Sequence, residues 1–210
     1  MILRLADADT RADLATYVAR ARQLDSDGAM RLQSVGGALA AWVGVLPGHG
    51  LTREGMTLGL RVLPLAEPAG LDVVVPMAGL ADRFAREPHG AELSVPPTEV
   101  RAAWASVSPP QGGWQQVGEI SVATMNEVAT SGIAEITASA PEGSGAHAVD
   151  ALRSFVWSRP MPPTESLEGL PSGVAFACYA LGFAVGETAL VFASGTWHRV
   201  TTPVGHVLIR

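Results

Sequence analysis

Between Leu32 and Thr52 the chain runs for 21 residues without Asp, Glu or Arg, and the punctuation of that run decides what it can become. Gly36-Gly37, Pro47 and Gly48-His49-Gly50 cut it into short pieces, each cut carrying turn chemistry. A spanning helix is therefore excluded, and paired strands are the alternative. Met30 and Leu32 alternate with Arg31 and Gln33, the two-residue period of a half-buried strand, and Gly36-Gly37 suits a hairpin. Leu39 to Leu46 is almost wholly apolar and reads as a central strand. Beyond the Pro47–Gly55 loop, Met56, Leu58, Leu60 and Val62 alternate with Thr57, Gly59 and Arg61. Leu71 to Val75 adds a β-branched strand, and Met1 to Leu5 a first one.

Helical spacing appears elsewhere. Leu14, Tyr17, Val18, Ala21 and Leu24 recur on one face, with Thr10 as the expected N-cap and Asp13 at its third position. Met77–Arg86 and Thr98–Ala105 read as short helices, the second opened by Pro96-Pro97. The stretch from Ser106 to Gly113 is dense in turn residues and is the expected linker. After it, Ser121–Thr137 and Ala146–Ser158 read as helices, the latter with Ala148, Leu152, Phe155 and Val156 inward. The proline-rich Arg159–Ser172 segment is irregular. Val174–Val185 reads as a buried helix of roughly 18 Å, short of the ~30 Å of a bilayer core. Strands at Thr188–Ala193, Thr196–Thr201 and His206–Ile209 close the chain.

Elements in blocks rather than strict alternation predict an α+β fold. The expected organisation is a sheet-rich α+β domain over 1–110, with a mostly antiparallel or mixed sheet and flanking helices. A helical domain over 111–210 would end in β-hairpins, the two halves forming either separate domains or one core. For the last hairpin, a turn at Thr202-Pro203-Val204-Gly205 with a glycine bulge would set Thr202 opposite His206, Val200 opposite Leu208 and His198 opposite Arg210. His198 and His206 would then share a face, about 13 Å apart at strand rise and too far for one metal ion.

All 14 basic residues are Arg; with 20 acidic residues the net charge is -6. Without Lys there is no Schiff-base lysine and no lysine-bearing phosphate loop. The acidic balance argues against nucleic acid and anionic membrane as partners. A winged-helix reading of the last third fails on the same ground, since 118–210 holds four Arg against eight acids. One cysteine, Cys178, forbids an intrachain disulfide and multi-cysteine metal sites, and its apolar neighbours make it a buried thiol. The N-terminus lacks the basic start and long apolar core of a signal peptide, which predicts a cytoplasmic protein.

None of the five histidines precedes Glu, no Ser lies in a Gly-x-Ser-x-Gly elbow, and no three-glycine dinucleotide fingerprint follows a strand. No catalytic residue, metal site or cofactor is expected. His147, Asp150 and Arg153 share one helical face and read as a solvated stripe. Two places remain for a ligand: the Pro47–Gly55 loop with His49 and Arg53, and the Gly112-Gly113-Trp114 stretch at the suspected junction. With Arg61 these give the candidate binding residues His49, Arg53, Arg61 and Trp114.

The blocks Leu58-Gly-Leu-Arg-Val-Leu-Pro-Leu-Ala-Glu-Pro-Ala-Gly-Leu-Asp-Val-Val-Val-Pro76 and Thr196-Trp-His-Arg-Val-Thr-Thr-Pro-Val-Gly-His206 resemble an uncharacterised protein family of high-GC actinobacteria. That resemblance implies a source but no activity, cofactor or site. The leading expectation is a non-catalytic cytoplasmic association protein whose partner is itself, as a homodimer, or another protein. The alternative is a small-molecule binder or enzyme with a site built from His49, Arg53, Arg61 and Trp114.

Overall fold

The computed structural model describes residues 1–50, 53–87, 89–139, 146–163 and 168–210. Its architecture is α+β, with antiparallel pairing and five α-helices among the described residues. The chain divides into two compact units: Met1–Val45 with Leu58–Ser108, and Leu46–Thr57 with Pro109–Arg210.

In the first unit, β1 (Ile2–Arg4) is followed by α1 (Ala8–Leu24), β2 (Ala29–Val35), β3 (Ala38–Leu46), β4 (Thr57–Pro64), β5 (Asp72–Pro76), α2 (Met77–Arg86) and β6 (Glu92–Ser94). Strands order as β5-β2-β3-β4, and β1 pairs antiparallel with β6. The period of two sets the core. Met30 and Leu32 on β2 face Val43 and Ala41 across the ladder, and all four are buried. Met30, Leu32 and Val43 each contribute about 1.5–3 kcal/mol by leaving water, and the smaller Ala41 less. Gly36, at φ 58, makes the tight turn between Val35 and Ala38.

The helix α1 starts earlier than its spacing suggests. Its N-cap is Asp7, not Thr10: the Asp7 carboxylate accepts a bond from the Thr10 amide at 2.7 Å, three residues on. The buried Arg11 ties this helix to the end of the unit. Its Nε donates to the Glu92 carbonyl at 2.8 Å, an Nη donates to the Glu87 carbonyl, and the guanidinium lies 5.1 Å from the Phe84 ring centroid. The helix expected at Thr98–Ala105 is only a 3-10 turn at Ala103–Ser106. The segment before it is not helical: Ala102 is extended, and the Val100 amide donates to the Val74 carbonyl of β5 at 2.9 Å.

The second unit holds β7 (Gln115–Ser121), α3 (Val122–Ser139), α4 (Ala146–Ser158), α5 (Gly173–Ala180), β8 (Thr188–Ser194), β9 (Trp197–Thr202) and β10 (Gly205–Ile209). Its strands order as β7-β8-β9-β10, each pair antiparallel. Ala189, Val191, Val200 and Val207 form the buried face. Among the helices, Trp157 of α4 stacks on Phe176 of α5 with centroids 4.5 Å apart, and Gly132 of α3 leaves room for the indole.

Several expectations yield here to tertiary context. The α4 face is rotated from the expected one: Val156 and Trp157 are buried, while Phe155 is 62% exposed. The buried helix ends at Ala180, because the chain turns at Gly182 (φ 69) and buries Phe183 from outside the helix. The last hairpin pairs Thr202 with Gly205, Val200 with Val207 and His198 with Ile209, one residue out of the expected register. A single-residue slip exchanges the faces of a strand, so His198 and His206 point to opposite sides. The glycine forms no left-handed bulge. It is needed for space instead: a Cβ on Gly205 would sit 2.7 Å from the buried Phe183 ring.

Candidate interaction surface

The four sequence-nominated residues are held by different devices. His49 and Arg53 belong to a loop of the second unit, closed where His49 and Glu54 exchange backbone bonds of 2.8 and 3.0 Å. Arg53 takes φ 55, and Gly48 at φ 71 would bring a Cβ within 2.7 Å of the Arg53 carbonyl, so only glycine fits that corner. The Gly55 amide anchors the loop by donating to the Arg210 carbonyl at 2.6 Å. Leu51 and Thr52 of this loop lie outside the described residues.

Arg61 belongs to the first unit. From β4 it donates to the Asp13 carboxylate of α1, with Nε at 2.9 Å and an Nη alongside. The neighbouring Tyr17 is buried, and burial pushes its hydroxyl pKa well above the usual value, with Arg61 pulling the other way. Among the described residues no hydrogen bond, ion pair or ring contact joins any two of His49, Arg53, Arg61 and Trp114. His147 and Asp150 are exposed on α4, and neither forms an ion pair with Arg153 among the described residues.

Trp114 is different, because the structure gathers other groups around it. Ser194 at the end of β8 donates to the Gly112 carbonyl at 3.1 Å, pinning the strand entry. Gly113 turns the backbone at φ 74, and the indole N–H of Trp114 returns to the Pro110 carbonyl at 3.1 Å. The indole so fixed lies over the guanidinium of Arg199, 4.7 Å from ring centroid to carbon. On β8, Phe192 faces Arg199 directly across the ladder and stacks on the same guanidinium at 4.6 Å. The exposed Gln116 pairs with Phe192 and continues the row onto β7. Two aromatic faces thus hold one cation, an arrangement worth about 0.5–2 kcal/mol per contact. Its Nε is buried without a hydrogen-bond partner, and burial lowers the Arg199 pKa from its usual value, leaving it cationic at neutral pH.

Sequence reading found Trp114 but not Arg199 or Phe192. Their alternation in β8 and β9 showed which side of the ladder they occupy, but the stack also requires register, which pairs residues far apart in sequence.

Beside this stack lies an unpaired strand edge. Among the described residues β7 pairs with β8 alone, carries a bulge between Gln116 and Gly118, and exposes Val117 to 37%. An edge presents unpaired amides and carbonyls to a further strand, and bulges moderate that tendency. Among the described residues no three His, Cys, Asp or Glu side chains gather as a metal site. No described helix is long and apolar enough to cross a membrane.

Comparison with known proteins places this geometry. The whole chain superposes on the DNA polymerase sliding clamp of Caulobacter crescentus at 11% identity with a TM-score of 0.56, covering 65% of that chain. It superposes over its full length on a protein assigned as the DNA polymerase III beta subunit of Eubacterium rectale, at 8% identity and TM-score 0.62, covering 64% of that chain. The DNA polymerase III beta subunit of Pseudomonas aeruginosa gives 13% identity, TM-score 0.53 and 64% coverage. The chain therefore spans about 65% of the length of these structures, and at such identities the likeness is one of fold. Among curated proteins, none matches this chain in sequence.

This likeness corrects one expectation. Nucleic acid was excluded as a partner on the net charge of -6, yet the fold is that of proteins whose names make them sliding clamps of DNA polymerase. Net charge averages over the surface, whereas affinity for a polyanion depends on where individual arginines stand. A family profile described as a domain of unknown function, DUF8185, matches residues 109–210. Residues 1–106, just over half of the chain, match the profile of another domain of unknown function, and the protein belongs to that family, DUF8010.

Proposed function

We propose that this protein is a non-catalytic association protein on a sliding-clamp fold. It acts by joining copies of itself through the free β7 edge and by holding protein or DNA partners in the assembly so formed. The observation that carries this reading is the superposition of the entire chain, with both units included, on sliding clamps. The open β7 edge supports it, since antiparallel pairing of two β7 strands about a two-fold axis is the simplest closed assembly. A cytoplasmic setting is part of the proposal. So is a domain boundary near residue 110, in keeping with where the two family profiles meet, with Leu46–Thr57 of the first half packing in the second unit. The all-arginine composition supports a high-GC actinobacterial source.

Sedimentation velocity across a wide concentration range tests self-association, with Val117→Lys as the edge-blocking variant and Val35→Lys, on the exposed β2–β3 turn, as the control. The expected result is a concentration-dependent rise in mass that Val117→Lys abolishes and Val35→Lys leaves intact. A monomer at every concentration would remove the self-association reading. Anisotropy of a labelled duplex at increasing salt tests the DNA arm, where binding should weaken steadily with salt.

A further inference from the structure

We propose that the Trp114–Arg199–Phe192 stack is a carboxylate receptor that takes one acidic side chain from an extended segment of a partner protein lying along β7. This rests on the part of the reading above in which the fold holds protein partners, and it names their chemistry; a segment seated along β7 takes the edge that would otherwise pair with a second copy.

The arginines of the described residues differ in what their guanidinium nitrogens meet. Three in the described residues stack on aromatic rings: Arg11 on Phe84, Arg159 on Phe155, and Arg199 on Trp114 and Phe192. The nitrogens of the first two are occupied. Arg11 donates to the Glu87 and Glu92 carbonyls, and Arg159 binds both oxygens of Glu135 at 2.7 Å. Arg199 has neither a carboxylate nor a carbonyl, although it is the one held between two rings. Its Nε is buried and unpartnered, while its Nη nitrogens keep contact with solvent and donate to no described residue. The guanidinium is thus fixed in orientation with its fork open. Immobilising it has already cost its rotamer freedom, so a bidentate carboxylate gains two charge-assisted bonds at little further entropic cost.

The surroundings favour a peptide over a nucleic-acid strand. Glu119 lies exposed on β7 opposite Leu190 of β8. A run of phosphates would place several negative charges near that carboxylate, whereas a single acidic side chain need meet only Arg199. Val117 and Leu190, each 37% exposed, offer apolar contact on β7 and β8, and the unpaired β7 edge offers backbone bonds to an extended segment.

The test uses the full chain and fluorescence anisotropy. The probe is a capped, labelled peptide of alternating Val and Thr with one central Glu, and its partner carries Gln instead. A labelled oligothymidylate strand forms the third arm. The Glu peptide should bind roughly 10-fold tighter than the Gln peptide. Arg199→Met, which keeps the volume between the rings but removes the charge, should abolish that difference while leaving the thermal midpoint within a few degrees. Equal binding of the two peptides overturns the proposal. So does a Glu preference that survives Arg199→Met, and so does Arg199-dependent binding of the oligonucleotide alone. Failure of the association reading is seen separately: a chain that sediments as a monomer yet prefers the Glu peptide through Arg199 keeps the receptor and loses only self-association.

Discussion

Replacing Gly132 by Ala sets two magnitudes of opposite sign against each other. Gly132 lies inside α3, where Ala is favoured over Gly by about 1 kcal/mol, so helix propensity alone predicts a more stable protein. The site predicts the reverse. A Cβ there would lie 2.4 Å from Cζ3 and 2.6 Å from Cη2 of Trp157, and 3.2 Å from Cγ1 of Val156. Ordinary carbon contacts need roughly 3.5–4 Å, so the indole must retreat by about 1 Å or more. It has nowhere to go: it is 3% exposed and already stacked on Phe176 at 4.5 Å with 19° between the planes. Overpacking against such a backstop costs about 3 kcal/mol, the upper part of the usual range. The net expectation is a loss of about 2 kcal/mol, a fall of roughly 4–8 °C in the melting midpoint for a chain of this size. Thermal and urea unfolding by circular dichroism measure it, with the exposed neighbour Ser131→Ala as a control that should change little. In a Trp157→Leu background the penalty of Gly132→Ala should shrink or change sign, as coupled contacts do. A higher midpoint for Gly132→Ala alone would refute the reasoning.

Three further outcomes follow from the same contacts. Hydrogen bonds from Arg31 hold the Asp72 carboxyl below its ordinary value of 3.8, despite some opposing burial. A depressed folded pKa adds stability that is complete above the unfolded value and is lost as pH falls through the folded one. Acid melts below about pH 4 should therefore show a shallower loss for Asp72→Asn than for the parent. Arg61→Met should cost about 1 kcal/mol in urea unfolding, because it removes the guanidinium that binds the part-exposed Asp13 carboxylate, and an unchanged midpoint would contradict that. Burial pushes the Cys178 thiol up to about 12, so the native protein should resist alkylation at pH 8 and react fully once unfolded.

Much of the fold was legible because it is local. The alternation of Met30 and Leu32 with Arg31 and Gln33, closed by Gly36-Gly37, specifies a half-buried strand and its turn without reference to any other part of the chain. The α2 boundaries at Met77 and Arg86 and the three terminal strands follow from the same local rules. The misread elements all depend on distant partners. Residues 98–102 follow the helix-opening pair Pro96-Pro97, but a backbone bond from Val100 to Val74 ties them to β5 instead. The face of α4 is chosen by the slot that Gly132 leaves for Trp157, and period alone does not reveal which aromatic enters it. Strand β7, with Val117, Gly118 and Ile120 at irregular spacing, shows no clean alternation because it is bulged.

The amino-acid sequence alone determined the fold class, most of the elements and a thiol shielded from reaction, since these depend on side-chain chemistry and short-range periodicity. Tertiary structure decided the rest: the register that separates His198 from His206, the carboxylate that claims Arg61, and the rings that hold Arg199 while leaving its fork open. Each of those is a pairing between residues remote in the chain, fixed only when strands and helices settle their relative positions, and one residue of slip would reassign them all.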